Sequence, residues 1–235
     1  MEKYIHHVAI NYQNVCARIK QKAQLCGRDP STITLLAVSK TKTPELITQA
    51  WDAGIRTFGE NRVQEIQKKF DPRPHEEMEL HMIGHLQSNK VRAAVQLSDW
   101  IQSVDREKIL HLISKEAQRY ERTIQICLEV NTSAEESKFG VLRDEEVIRL
   151  AVLAAKLPCV KLRGLMTIGP LLSEGEKALR NAFIRLRKLF HTIGDELAPP
   201  LWDTLSMGMS NDFEIAIEEG ATMLRIGSSL FGLRK

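Results

Sequence analysis

Short apolar runs rich in β-formers alternate with longer amphipathic stretches through most of this 235-residue chain, and that alternation limits the fold more than any other feature. The strand-like runs fall at Ile33–Ser39, Thr57–Gly59, Leu80–Ile83, Trp100–Val104, Thr123–Val130, Val160–Ile168, Trp202–Leu205 and Met223–Ile226. Helix-patterned stretches lie between them, at Pro44–Ala53, Asn61–Phe70, Asn89–Leu97, Arg106–Tyr120, Glu145–Leu157, Glu174–Ile193 and Asn211–Glu219. Strands separated by helices pair in parallel through right-handed crossovers. About eight such units predict an α/β fold, a single (β/α)8 TIM-type barrel near the lower end of its usual size. A doubly wound open sheet is the alternative. No run reads as a weak edge strand, and closure removes exposed edges altogether, so the barrel is the better expectation. Ahead of the first strand, Tyr4 to Leu25 repeats apolar residues at helical spacing (Ile5, Val8, Ala9, Tyr12, Val15, Ile19) and stops at Cys26-Gly27. This predicts an extra N-terminal helix over about 1–27 and a barrel over 33–235, in one domain spanning 1–235.

Composition narrows the partners. Lys and Arg number 33 against 30 Asp and Glu, a net charge of +3. Such a balance does not argue for nucleic acid or an anionic membrane surface. No stretch is apolar enough to span a bilayer, and the polar start Met1-Glu2-Lys3-Tyr4-Ile5-His6-His7 lacks the apolar core of a secretion signal. Cys16, Cys26, Cys127 and Cys159 form no CxxC pair and no disulfide framework, which suits a reducing compartment. The expectation is a cytoplasmic protein. With no exposed apolar stripe evident, it is also expected to be a monomer.

In a barrel, ligands sit where strands run into the following loops. Here those junctions carry small and polar residues: Ser39-Lys40, Gly59-Glu60-Asn61, Gly84-His85, Asn131-Thr132-Ser133, Ser206-Met207-Gly208-Met209-Ser210 and Arg225-Ile226-Gly227-Ser228-Ser229. Turn chemistry explains each glycine singly but not the set. Lys40 stands out. An ammonium at the end of a buried strand is costly to desolvate unless paired, and an amine of lowered pKa is a Schiff-base nucleophile. The alternative is a solvated lysine in the loop.

The last two junctions point to an anion. Barrels commonly hold phosphate with the loops after strands 7 and 8 and the start of a short helix. Gly227 permits close backbone approach, Ser228 and Ser229 can cap the helix toward Phe231, and Ser210 can add a hydroxyl. Two ordinary N-caps are the alternative. A lysine amine and a phosphate cradle on one rim are what pyridoxal 5′-phosphate (PLP) requires. Arg225 lies two residues before Gly227 and shares its face. It can reach the pyridine nitrogen, and a guanidinium, which only donates, would leave that nitrogen unprotonated and the ring a poor electron sink. A structural ion pair is the other reading of Arg225.

Six segments, taken together, resemble one family along nearly the whole chain: Leu35-Leu36-Ala37-Val38-Ser39-Lys40-Thr41-Lys42, Phe58-Gly59-Glu60-Asn61, His81-Met82-Ile83-Gly84-His85-Leu86-Gln87-Ser88-Asn89-Lys90, Arg163-Gly164-Leu165-Met166, Leu205-Ser206-Met207-Gly208-Met209-Ser210 and Arg225-Ile226-Gly227-Ser228-Ser229-Leu230-Phe231-Gly232. The chain is similar to the YggS/PROSC family of pyridoxal phosphate homeostasis proteins, which share the barrel of bacterial alanine racemase. The resemblance implies Lys40, not Lys42, as the Schiff-base lysine and Arg225 facing the pyridine nitrogen. It implies Ser210, Gly227 and Ser228 around the phosphate, with Asn61 and Met166 lining the ring. The phosphate-side position is often threonine in the family, and Ser228 keeps the hydroxyl.

The resemblance implies PLP binding without convincing catalysis, buffering or delivering the cofactor, with PLP-dependent apo-enzymes as partners. Racemisation needs a base on each face of the ring. The racemases take the second, a tyrosine, from a domain expected to be absent here, since Lys235 follows soon after Arg225 and Tyr4, Tyr12 and Tyr120 fall on outer helices. A weak racemase-like enzyme acting on small amino acids is the alternative. A sugar-phosphate enzyme using Lys40 as a Schiff base is a third. His81 and His85 have a spacing that suits zinc only on a helix, and no metal site is expected. Lys156, Lys161 and Arg163 read as flanking strand 6, and Glu135-Glu136 and Glu218-Glu219 as solvated surface.

Overall fold

The alternation closes into a ring. The structure is a computed structural model describing residues 2–133, 135 and 138–232, with side chains from residue 7 onward. Eight parallel strands follow one another in sequence order around a closed barrel: β1 (Thr34–Val38), β2 (Thr57–Glu60), β3 (Glu79–Met82), β4 (Trp100–Val104), β5 (Ile124–Glu129), β6 (Val160–Met166), β7 (Thr204–Met209) and β8 (Met223–Ile226). β1 and β8 complete the ring in parallel from Thr34↔Met223 to Ala37↔Ile226. The helices are α1 (Glu2–Leu25), α2 (Pro44–Asp52), α3 (Val63–Phe70), α4 (Val91–Leu97), α5 (Glu107–Arg119), α6 (Asp144–Lys156), α7 (Glu176–Leu197), α8 (Phe213–Glu218) and α9 (Ser228–Phe231). The side chains of Tyr4, Ile5 and His6, and residues Glu136 and Lys235, lie outside the described residues.

Side chains alternate across a strand, and the two faces have different chemistry here. Ala37, Phe58, Leu80, Ile101, Leu128, Leu165, Leu205 and Leu224 join the helix residues Ile47, Ile66, Ile113, Leu150 and Leu186 in one continuous core. Two smaller apolar clusters stand apart from it: Leu36, Val38 and Met223, and Trp100, Cys127 and Met166. Glu60, His81, Gln102, Ser206 and Arg225 are also buried, each at most 4% exposed. Barrel interiors usually fill with branched aliphatics. This one carries charge and hydrogen bonds.

α1 is the addition to the repeat, and it seals the ring. Val8, Val15, Ile19 and Ala23 are buried at helical spacing, and the helix packs on α2, α8 and α9 across the β8–β1 seam. Asn11 Nδ2 donates to the Leu230 carbonyl, and Arg18 pairs with Glu214 of α8.

β7 differs from expectation by running on to Met209 instead of ending at Leu205. Gly208 allows this: its φ is +91°, and a Cβ there would lie 2.5 Å from that of Ala216. The register against β8 shifts between Ser206 and Met209 at this point. Glu219 is not solvated surface. It is buried and paired with Arg180 and Arg187, while Glu218 pairs with Lys22 and Arg180.

Candidate functional site

A cavity of about 920 Å³ opens at the carboxyl ends of the strands, and Lys40, Asn61, Ser210, Arg225, Gly227 and Ser228 line it together. Lys40 lies two residues past the end of β1, after Ser39, and is half-buried. Met166, the expected seventh member, is not among the lining residues. It ends β6 and is fully buried in the cluster with Trp100 and Cys127. Lys42 also lines the cavity, but its Nζ reaches the Gly232 carbonyl at 3.0 Å and that of Phe231 at 3.4 Å. It therefore braces the end of α9.

The turn carrying Lys40 is clamped on both sides. Lys69 Nζ, brought in by α3, donates to the Ser39 carbonyl at 2.9 Å, to Glu60 Oε1 at 2.9 Å and to Glu65 Oε2 at 2.7 Å. Glu65 Oε2 in turn accepts the Thr41 N–H at 2.7 Å, and Ser39 Oγ donates to Glu60 at 2.7 Å. Thr41 has φ +64°, a strained setting for a β-branched residue that persists only when its surroundings over-determine it. Burial pushes the Glu60 carboxyl above its ordinary range, while Lys69 and Ser39 oppose the shift. Glu65 and Lys69 showed their helical spacing in the sequence. Their meeting with the β1 turn depends on how α3 packs, which spacing does not encode.

Across the mouth, Ser210 Oγ accepts the N–H groups of Gly227 and Ser229, each at 3.2 Å. Two acceptances leave the Ser210 hydroxyl proton to donate into the cavity it lines. A Cβ at Gly227 would make only ordinary contact with Val38, at 3.4 Å or more. The fold itself does not demand glycine there. At Gly84 it does, since a Cβ would sit 2.3 Å from the Asn61 carbonyl oxygen. Asn61 is held at the rim by that close approach.

Arg225 is fully buried below this cradle. It donates to Ser206 Oγ at 2.8 Å and to the Thr167 carbonyl at 2.6 Å. Neither is an acid, and among the described residues no carboxylate forms an ion pair with it. Burial lowers its pKa, with Asp212 and Glu129 pushing back from longer range. Both acids are themselves altered. Burial raises Asp212 against its bond from the Met209 N–H, and burial with nearby Asp105 pushes Glu129 up to about 7. His81 bonds Glu79 and Gln102, and among the described residues no group of three or more side chains is set to hold a metal.

The alanine racemase N-terminal domain family matches residues 10–235. A Vibrio alginolyticus pyridoxal phosphate homeostasis protein is 42% identical over 228 residues, 95% of this chain and 96% of that one. Its Pseudomonas aeruginosa namesake is 44% identical over 227 residues, 97% and 96% of the two. The structure of Synechococcus elongatus PipY with PLP bound superposes with a TM-score of 0.76 at 36% identity, over 91% of this chain and all of that one. Alanine racemase from Streptomyces coelicolor gives 0.76 at 14% identity over 98% of this chain and 59% of its own, a likeness of fold alone. By this identity along nearly its full length, the chain belongs to the family of pyridoxal phosphate homeostasis proteins, built on the alanine racemase N-terminal barrel.

Proposed function

We propose that this protein binds PLP in the barrel mouth and serves its intracellular homeostasis, holding and releasing the cofactor without turnover. The observation that carries the reading is a single cavity shared by the Lys40 amine, the Ser210–Gly227–Ser228 donor cluster and a buried arginine. The donor set fits the cofactor: a phosphate takes backbone and hydroxyl donors, and a pyridine nitrogen accepts from a guanidinium. PipY, a 36%-identical relative, has been seen with PLP bound. When bound, the cofactor supplies an aldehyde that condenses with a primary amine. Lys40 would hold that carbon. Ser210, Gly227 and Ser228 would hold the phosphate, and Asn61 would face the ring. Arg225 would donate to the ring nitrogen and could not give up a proton to it. Met166, which the family likeness places at the ring, is buried with Trp100 and Cys127 and would reach the ring only if the cavity deepened on binding. The reading includes a cytoplasmic monomer that passes the cofactor to PLP-dependent apo-enzymes.

Weak racemase-like chemistry on small amino acids is the second reading. It needs a group that moves a proton on the face opposite Lys40. Tyr12 and Tyr120 do not line the cavity, and Tyr120 instead accepts a hydrogen bond from Arg92. Absorption spectra of the purified protein test the main reading. A visible PLP band that borohydride abolishes should survive Lys42→Ala and disappear in Lys40→Ala. Retention of the band in Lys40→Ala would overturn it. Exchange of the α-proton of alanine in deuterated water would favour the racemase-like reading.

A further inference from the structure

Arg225 is one end of a hydrogen-bonded chain that crosses the whole barrel. Its Nη1 donates to Ser206 Oγ at 2.8 Å, and Ser206 donates to Gln102 Oε1 at 2.7 Å. Gln102 Nε2 meets His81 Nδ1 at 2.7 Å, and His81 Nε2 meets Glu79 Oε1 at 2.8 Å. The links come from β8, β7, β4 and β3. Every member but Glu79 is buried; the Glu79 side chain, at the start of β3, is 41% exposed.

The chemistry at the two ends fixes every proton between them. A guanidinium only donates, so Ser206 must accept from Arg225 and spend its own proton on an acceptor. That acceptor is the Gln102 carbonyl oxygen, which turns the Gln102 amide nitrogen toward His81. His81 Nδ1 must then accept, and its proton lies on Nε2, facing a carboxylate that only accepts. The second Gln102 N–H points at Met223 Sδ, 3.1 Å away. Burial lowers the pKa of His81, which agrees with a neutral ring, and the ring is held flat against Trp100 at 5.0 Å. A buried network satisfied in only one proton order is rigid.

We propose that Gln102 and His81 are positioning residues for Arg225: through Ser206 they set the plane of the guanidinium that the ligand's ring meets. This rests on the PLP reading above. They touch neither the cavity nor the ligand, and they act through the order of donors along the barrel axis. Gln102→Met keeps the length of the side chain and removes its links to Ser206, His81 and Met223. Gln102→Glu keeps an acceptor for Ser206, and His81 can then take a second proton and donate to it.

The test is PLP titration of the purified protein, read by the position and strength of the visible band, with urea unfolding of each variant measured separately. Gln102→Met and Ser206→Ala should bind PLP about tenfold more weakly, as expected for losing one well-placed hydrogen bond. Their visible maximum should also move, a change that a loss of stability alone does not produce. Gln102→Glu should return both towards the parent. Unchanged affinity and band in Gln102→Met and Ser206→Ala would refute the proposal, and Ser206→Ala carries the test if the methionine variant does not fold. Nitrogen-15 NMR of His81 checks the proton order without added cofactor, and a proton on Nδ1 would also refute it. A parent protein that takes up no PLP, yet shows His81 protonated on Nε2 alone, would sink the functional reading and leave the relay standing.

Discussion

Lys69→Met removes the cation that ties the Lys40 turn together while leaving its aliphatic stem. The Lys69 and Glu60 side chains are 7% and 2% exposed, so solvent does little to screen the pair. After the substitution Glu60 keeps the Ser39 hydroxyl at 2.7 Å, while its Oε2 already has no partner among the described residues. Breaking a buried pair by removing one partner costs roughly 3–5 kcal/mol. Protonation sets an independent ceiling. Neutralising a carboxyl of ordinary pKa, about 4.3, at pH 7 costs about 1.4 kcal/mol per pH unit, or about 4 kcal/mol in all. The two figures agree.

The ceiling also predicts a pH dependence. An acid whose folded pKa is raised destabilises the fold as pH climbs above its unfolded value. The difference between parent and variant should therefore be about 3–4 kcal/mol at pH 7 and about 1 kcal/mol at pH 5. Urea unfolding at the two pH values measures it. The double variant Lys69→Met/Glu60→Gln should recover most of the loss at pH 7, because no buried charge remains to be neutralised. A loss below about 1 kcal/mol at pH 7, or a double variant no better than the single, would show that the clamp does not hold this turn.

Three further outcomes follow from the same geometry. Glu129, held near pKa 7 chiefly by burial, weakens the fold as pH rises from about 4.5 to about 7, by about 3 kcal/mol in all. Glu129→Gln should therefore melt above the parent at pH 8 and level with it at pH 5, and an equal offset at both would contradict the assignment. Gly227→Ala should leave the urea midpoint nearly unchanged, since a Cβ meets Val38 at an ordinary 3.4 Å or more, yet weaken PLP binding by narrowing the cradle. A stability loss as large as the binding loss would mean that the protein, not the ligand, requires the glycine. Lys42→Ala should cost on the order of 1 kcal/mol through the loss of its carbonyl bonds to Phe231 and Gly232, one part-buried and one exposed. Its absorption spectrum should match that of the parent.

The barrel was legible because periodicity is local. Alternation of short and amphipathic runs placed all eight strands, most within two residues of their bounds, and the spacing of Val8, Val15 and Ile19 marked the extra helix. The apolar pattern ends β7 at Leu205, short of Gly208, whose backbone conformation and contact with Ala216 appear only when α8 is packed. The rim residues Lys40, Ser210, Arg225, Gly227 and Ser228 were readable from their places at strand ends. Met166 is placed at the ring by likeness alone, and in the fold it is buried with Trp100 and Cys127 and is not among the residues lining the cavity. Lys69 meets the Ser39 carbonyl only once α3 is packed, Gln102 and Ser206 bond partners distant in sequence, and no spacing rule joins β3, β4, β7 and β8 across a barrel axis.

Charge in this protein is nearly balanced overall and strongly unbalanced at the mouth. The chain carries +3 from 33 basic and 30 acidic residues. Lys40, Lys42 and Arg225 line the cavity, and the carboxylate facing them among its lining residues is Asp212. Burial raises the Asp212 pKa and pushes Glu129 up to about 7, and among the described residues neither acid forms an ion pair with Arg225. The donor chain behind Arg225 brings it a hydroxyl in place of a carboxylate and defers the negative charge to Glu79, at the opposite end of the barrel. A buried cation without an ion-paired carboxylate is costly to the fold. It is stabilised when an acceptor enters the mouth, and a ligand whose phosphate is also negative adds attraction from the whole rim. The polar interior that makes this barrel atypical as a packed core is thus what gives its open end an affinity for an anion with an acceptor nitrogen.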